Sequence, residues 1–253
     1  MNSVPDLSLI IACYNETDIL TDSIKEVVEV LDATRYTYEF IFIDDCSQDD
    51  TRELIDALIE QYADKSFRRI FHEQNKGRGG TVTDGIREAR GTVVGFIDID
   101  LETHARYIPS CVAKIQKGYD IATALRIYTF QIRSLDRYIL SKGYSRLVKW
   151  IFGFQLQDSE TGFKFFNREN IMPILDVVQD QGWFWDTEIM ARAYLSGLKI
   201  IEIPSLFIRR FDKVSTVNPL SDSFEYLAQL YRFKKQIKQE QNRFESVKTN
   251  TTS

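Results

Sequence analysis

A chain of 253 residues, 43% of them apolar and 13% aromatic, can bury a sizeable core within one large α/β domain. Its net charge of −5 does not point to a nucleic-acid partner, and no uncharged run approaches the ~20 residues a membrane-spanning helix needs. The three cysteines, Cys13, Cys46 and Cys111, are odd in number and lack metal-type spacing, so they read as small buried hydrophobes of a reduced, cytosolic chain.

Met1–Asp6 has no basic region of the signal-peptide kind. The run Leu7 to Ala12 reads as a strand, and Asn15/Thr17 open a helix carrying Ile19, Leu20, Ile24, Val27, Val28 and Leu31 at helical spacing. Tyr38 to Ile43 predicts a second strand, closed by the acidic turn Asp44–Asp49. A helix with Leu54, Ile55, Leu58, Ile59 and Tyr62 on one face follows. Phe67 to His72, Thr92 to Ile97 and Ile121 to Leu125 continue the strands, with a helix over Gly77 to Arg90 between the first two of these. Further on, helices are expected over Ser134 to Phe152, Trp185 to Ser196 and Asp222 to Gln239, and short strands over Gly162 to Asn167 and Lys199 to Pro204. This alternation predicts a mostly parallel sheet with helices on both faces. No composition break marks a boundary within residues 1–240, which read as one domain, and 241–253 read as a polar, disordered tail.

In such sheets ligands bind outside the carboxyl ends of the strands. Here those ends carry Tyr14/Glu16, Asp44/Asp45 and Asp98/Asp100/Glu102, with Arg126 after the fifth strand, which predicts one acidic crevice. If the strand stays extended through Asp98-Ile-Asp100-Leu-Glu102, its alternate carboxylates share a face. Carboxylates so gathered need a cation, and oxygen ligands beside a nucleotide diphosphate suit Mg²⁺ or Mn²⁺. In the turn after the second strand, Ser47 or Asp49 can cap the next helix, while Asp44 is suited to hydrogen bond a base or ribose. The glycine-rich Asn75-Lys-Gly-Arg-Gly-Gly80 is neither a dinucleotide fingerprint nor a P-loop. It can be a plain capped helix start or a close approach to a nucleotide. Arg133 to Phe154 is basic and aromatic, a pattern suited to a bilayer interface or to an ordinary core-covering helix. His72 and His104 stand alone, so no nucleophile–His–acid arrangement is visible.

These segments, together with Asp158-Ser-Glu-Thr-Gly162-Phe-Lys-Phe, resemble the family 2 glycosyltransferases of GT-A fold, in the branch that acts on polyprenyl phosphates. The resemblance runs from Leu7 to about Phe233. It implies an inverting transferase that moves a hexose from a nucleotide-sugar donor to a polyprenyl-phosphate lipid at a membrane surface, peripheral to the cytoplasmic face. By position, Tyr14, Glu16 and Asp44 would hold the nucleoside, and Asp98 would face the donor. Asp100 and Glu102 would ligate the metal, and Arg126 would meet a donor or acceptor phosphate. Arg137 and Ser141 match the acceptor-phosphate pair, and Arg209, Arg210, Lys213 and Ser215 resemble a basic loop near the site. Mannose synthases of this branch often have Gln where Glu102 stands, so the extra charge makes a metal more necessary. Asp186 and Glu188 lie where hydroxyl-modifying relatives keep a general base, which leaves a sugar-hydroxyl acceptor as the alternative. A catalytically silent nucleotide-sugar binder would share the fold without turnover.

Overall fold

The structure, a computed structural model, describes residues 4–128, 143, 146–153, 156–209 and 226–240. Contacts divide the chain into two compact units, Met1–Phe130 with Gln157–Arg210 and Gln131–Leu156 with Phe211–Ser253. The first unit holds the sheet. Its strands are β1 (Leu7–Cys13), β2 (Tyr38–Asp44), β3 (Ser66–Phe71), β4 (Val93–Ile97), β5 (Ile121–Tyr128), β6 (Phe163–Asn167) and β7 (Ile200–Phe207). Its helices are α1 (Leu20–Asp32), α2 (Thr51–Gln61), α3 (Gly77–Glu88), α4 (Ile108–Gln116), α5 (Arg168–Leu175) and α6 (Trp185–Leu195).

The strands lie in the order β3-β2-β1-β4-β6-β5-β7. β1 runs parallel to both β2 and β4, so the strand order reverses beside it. That switch point opens a crevice between the carboxyl ends of β1 and β4. β1 can occupy the centre because its side chains are almost wholly buried on both faces, as a near-continuous apolar run requires. α1 shields one flank with Leu20, Ile24, Val27, Val28 and Leu31, the stripe its 3.6-residue period places together.

β6 is antiparallel to β4 and β5. Its pairing of Phe163 with Ile97 brings the beginning of β6, rather than its end, to the carboxyl end of β4. The Asp158–Gly162 segment, which precedes a strand, therefore reaches the same crevice as residues that follow strands. Gly95 in β4 makes room for the neighbouring ring: a Cβ there would lie 2.3 Å from Phe165.

The expected strands and helices of the first unit are present with shifted ends, and α4 with its preceding turn Ala105–Tyr107, and α5, add to them. Most of the helix expected over Ser134 to Phe152 and the start of that over Asp222 to Gln239 lie outside the described residues. In the second unit, residues 146–152 and 226–240 are helical. Phe152 packs on Phe233 at 5.2 Å, and the Lys234 ammonium lies 5.5 Å from the Trp150 ring centre. Among the described residues no helix is long and apolar enough to cross a membrane. The polar stretch 241–253 lies outside the described residues.

Candidate active site

The crevice beside β4 is lined by Asp98, Asp100, Glu102, Arg126, Thr161 and Gly162, among others. Four of the predicted site residues thus meet in one place. They do not meet as alternate residues of a strand, however. β4 ends at Ile97, and the chain turns at once: the Leu101 N–H donates to the Asp98 carbonyl at 3.2 Å, and Leu101 adopts φ +51°. Asp100 Oδ1 then accepts the Glu102 N–H at 3.2 Å. Among the described residues no three of His, Cys, Asp and Glu are grouped as a metal cluster. The expected three-carboxylate convergence is therefore replaced by a turn, because the extended backbone it presumed stops one residue earlier.

Asp98 is oriented from two sides. The Arg78 guanidinium donates to its Oδ1 through Nη2 at 2.7 Å and Nε at 3.2 Å. Beneath it, Gly162 leaves no room for a side chain, since a Cβ there would stand 1.7 Å from the Asp98 carboxylate. Arg78 also donates to Asp186 at 2.5 Å, and its guanidinium lies 5.3 Å from the ring centre of Phe96 and 5.2 Å from that of Trp183. Burial works against its charge, but Asp186 and Asp98 outweigh that and raise its pKa further. Asp186 receives a second cation, Lys164, at 2.6 Å. Lys164 is wholly buried; burial pulls its ammonium below the usual range, and Asp186 only partly offsets this.

Arg126 forms a two-pronged pair with Asp158, Nε to Oδ2 at 2.6 Å and Nη2 to Oδ1 at 2.7 Å. Burial alone would raise the Asp158 carboxyl, yet the Arg126 charge wins and holds it low. The loop that carries Asp158 is fixed from β7, where one Glu202 oxygen accepts the N–H groups of Gln157 and Asp158, each at 2.7 Å. On the same loop, burial, reinforced by Asp158 and Asp186 against Arg126, pushes the Glu160 carboxyl up to about 7. Its folded-state value thus lies above the ordinary one of 4.5. The folded chain then holds this proton more tightly than the unfolded chain. The stability so gained is complete below about pH 4.5 and is lost as pH rises through about 7. Glu160→Gln should flatten that decline, gaining stability near pH 8 and changing little near pH 4.5. Urea titrations at both ends measure it, and an unaltered slope would contradict the assignment.

Tyr14, Glu16 and Asp44 are not brought into this lining. They follow or close the neighbouring strands β1 and β2, whose ends pair as Cys13 with Asp44. Tyr14 is half exposed. Asp44 is fully buried, accepting from Arg52 Nε at 2.5 Å and from the Ser47 N–H. Asp45 takes the helix start: its carboxylate accepts the N–H groups of Lys76 at 2.8 Å and Gly77 at 2.9 Å. The positive end of α3 is thereby neutralised by the protein itself. The glycines of the run serve packing instead, since a Cβ on Gly79 would meet Trp185 at 2.4 Å. The helix start is thus capped, by Asp45.

Glu188 is engaged by Arg192 at 2.7 Å and by the N–H groups of Gln179 and Asp180. Arg137, Ser141, Arg210, Lys213 and Ser215 lie outside the described residues; Arg209 is partly buried just after β7. Arg78, which bridges Asp98 and Asp186, is the residue beside the crevice that pattern reasoning missed. Its only signal was an arginine embedded in a glycine run, which says nothing about where its side chain goes.

Residues 8–174 match the family model described as "Glycosyl transferase family 2". Over 204 residues the chain is 31% identical to the glycosyltransferase AglD of Haloferax volcanii, a match covering 79% of this chain and 32% of that protein. It is 29% identical over 211 residues to the dolichyl-phosphate beta-glucosyltransferase of Dictyostelium discoideum, covering 78% of this chain and 64% of the relative. The chain thus spans less than two thirds of either relative's length. In fold it is similar to glucosyl-3-phosphoglycerate synthase from Mycobacterium tuberculosis, solved with Mn²⁺, UDP and phosphoglyceric acid. The TM-score is 0.67 at 17% identity, over 91% of this chain and 78% of that one.

Proposed function

This chain belongs to glycosyl transferase family 2, and from that premise we propose that it moves a hexose from a UDP- or GDP-sugar to a polyprenyl phosphate, with inversion at the anomeric carbon. The observation that carries the choice of acceptor is the engagement of Asp186 and Glu188. A hydroxyl acceptor needs a general base, whose usual contribution is about 10²–10⁴-fold in rate. Both candidate bases are buried and bound to cations, Asp186 to Arg78 and Lys164, Glu188 to Arg192. A phosphate monoester is already largely anionic at neutral pH, its second pKa being about 6. It needs cations to position it rather than a base. The names of the relatives support the same class of acceptor.

In this reading an acceptor phosphate oxygen forms its bond to the anomeric carbon as the bond from that carbon to the nucleotide diphosphate breaks. Arg126, preset by Asp158, faces phosphate in the crevice, with Arg137, Ser141 and Lys213 assigned to the acceptor. Tyr14, Glu16 and Asp44 are assigned to the nucleoside side. Asp100 and Glu102 fit Mg²⁺ or Mn²⁺, because such ions often take one or two carboxylates and complete their shell with substrate phosphates and water. The ion would supply positive charge for the departing diphosphate.

We place the meeting with a lipid acceptor at the cytoplasmic face of a membrane, and the second unit supports contact with a membrane surface. There Trp150 is 78% and Tyr231 72% exposed, beside Lys149, Arg232, Lys234 and Lys235. Exposed aromatics among cations suit an anionic headgroup layer. The expected result is transfer from UDP-glucose or GDP-mannose to a short polyprenyl phosphate, together with salt-sensitive flotation on vesicles containing anionic lipid. Transfer to sugar hydroxyls but to no polyprenyl phosphate would replace the acceptor. Absence of vesicle binding at low salt would return Trp150 and Tyr231 to ordinary surface residues.

A further inference from the structure

We propose that Trp183 forms one wall of the subsite for the transferred hexose and stacks its indole against the sugar ring; this deepens the donor reading given above and rests on it. The segment Trp183-Phe-Trp185 opens α6, and core packing accounts for two of its three aromatics: Phe184 is 3% exposed and Trp185 0%. Trp183 is 53% exposed and is not explained that way. A single exposed apolar side chain is common and needs no function. Trp183 differs in standing on a hydrogen-bonded loop, and in touching Arg78, whose guanidinium reaches the crevice carboxylate Asp98.

The loop that presents it is fixed on several sides. Glu188 accepts the N–H groups of Gln179 and Asp180, Asp180 Oδ1 accepts the Gly182 N–H at 2.8 Å, and the Gln181 carbonyl accepts from Gly80 at 3.0 Å. One side of the indole is occupied by the Arg78 guanidinium at 5.2 Å. The same guanidinium is bonded to Asp98, which lines the crevice. A half-exposed ring thus stands one arginine away from the carboxylate assigned to the donor, on a loop that needs no ordering when a ligand arrives. The chemistry of such a surface is specific. An aromatic face is electron-rich, and it attracts the weakly positive C–H groups on one face of a pyranose while asking for no hydrogen bond. Phosphate, being anionic, gains nothing from that face.

This distinction sets the test. Affinities of UDP, UDP-glucose, GDP and GDP-mannose are measured by calorimetry with Mn²⁺ for the full chain and for Trp183→Ala and Trp183→Phe. For whichever pair the unsubstituted chain binds, Trp183→Ala is expected to weaken the sugar nucleotide about tenfold and the bare nucleotide less than about twofold. Trp183→Phe is expected to recover most of the loss. Equal losses for both ligands would mean that Trp183 merely shelters Arg78, and no loss would mean that it touches nothing; either overturns the proposal. If the unsubstituted chain binds neither pair, the donor reading itself falls, and the proposal with it.

Discussion

Asp100→Asn is expected to lower turnover by at least about a hundredfold, the scale on which removal of one charge-stabilising group acts at a reacting phosphate or oxyanion. The substitution is nearly isosteric, and the asparagine carbonyl can still accept the Glu102 N–H that Asp100 Oδ1 accepts. The turn should survive, and with it the stability of the chain without ligands. What should disappear is the rise in melting temperature expected from a nucleotide diphosphate with Mn²⁺, because ligand binding to the native state stabilises it, by an amount that grows with the logarithm of the affinity. Two readouts are thus available, one of activity and one of binding. A variant that turns over normally in the presence of a chelator would remove Asp100 from the metal assignment.

Asp186→Asn is expected to act first on the fold. Arg78 keeps Asp98, but the wholly buried Lys164 ammonium loses its carboxylate, and breaking a buried pair in this way usually costs about 3–5 kcal/mol. In a chain of this size each kcal/mol moves the melting temperature by about 2–4 °C, so a fall on the order of 10 °C is expected. Lys164→Met removes the stranded charge, and the double variant should recover part of the loss. That double variant also addresses chemistry. If Asp186 is the anchor of Arg78 and Lys164, transfer by the stabilised double variant to a polyprenyl phosphate should persist. If it is a general base for a hydroxyl acceptor, activity should stay about 10²–10⁴-fold down even where stability has returned.

The first half of the fold was legible because its buried face repeats cleanly: β1 is almost continuously apolar, and α1 and α2 carry their stripes without interruption. α4 carries Ile108, Cys111, Val112 and Ile115 at helical spacing as well, but it is only nine residues long, too short for periodicity to stand out. α5 has Pro173 inside it, which ordinarily signals an ending. In the site, strand-end position brought Asp98, Asp100 and Glu102 to one crevice, since sheet topology turns sequence order into spatial order. Arg126 lines it too, but from within β5, which runs on to Tyr128 rather than ending before it. Partnership was another matter. Arg126 and Asp158 are 32 residues apart, and Arg78 and Asp186 are 108 apart. Nothing local in the chain encodes which carboxylate each arginine meets. Of the neighbouring pair Asp44 and Asp45, residue type cannot say that one turns to Arg52 and the other to the start of α3.

Among the described residues three other than glycine adopt positive φ, and each follows a different strand at the crevice side: Asn15 after β1, Cys46 after β2 and Leu101 after β4. For leucine this conformation is uncommon and costs roughly 1–3 kcal/mol. A glycine at position 101 would relieve that strain, yet it would also let the backbone between Asp100 and Glu102 wander among many more shapes. With leucine the turn has few alternatives, so its two carboxylates keep nearly the same separation from one encounter to the next. Under the metal assignment proposed above, an arriving cation would find its ligands already spaced, with little conformational freedom left to lose at the moment of binding.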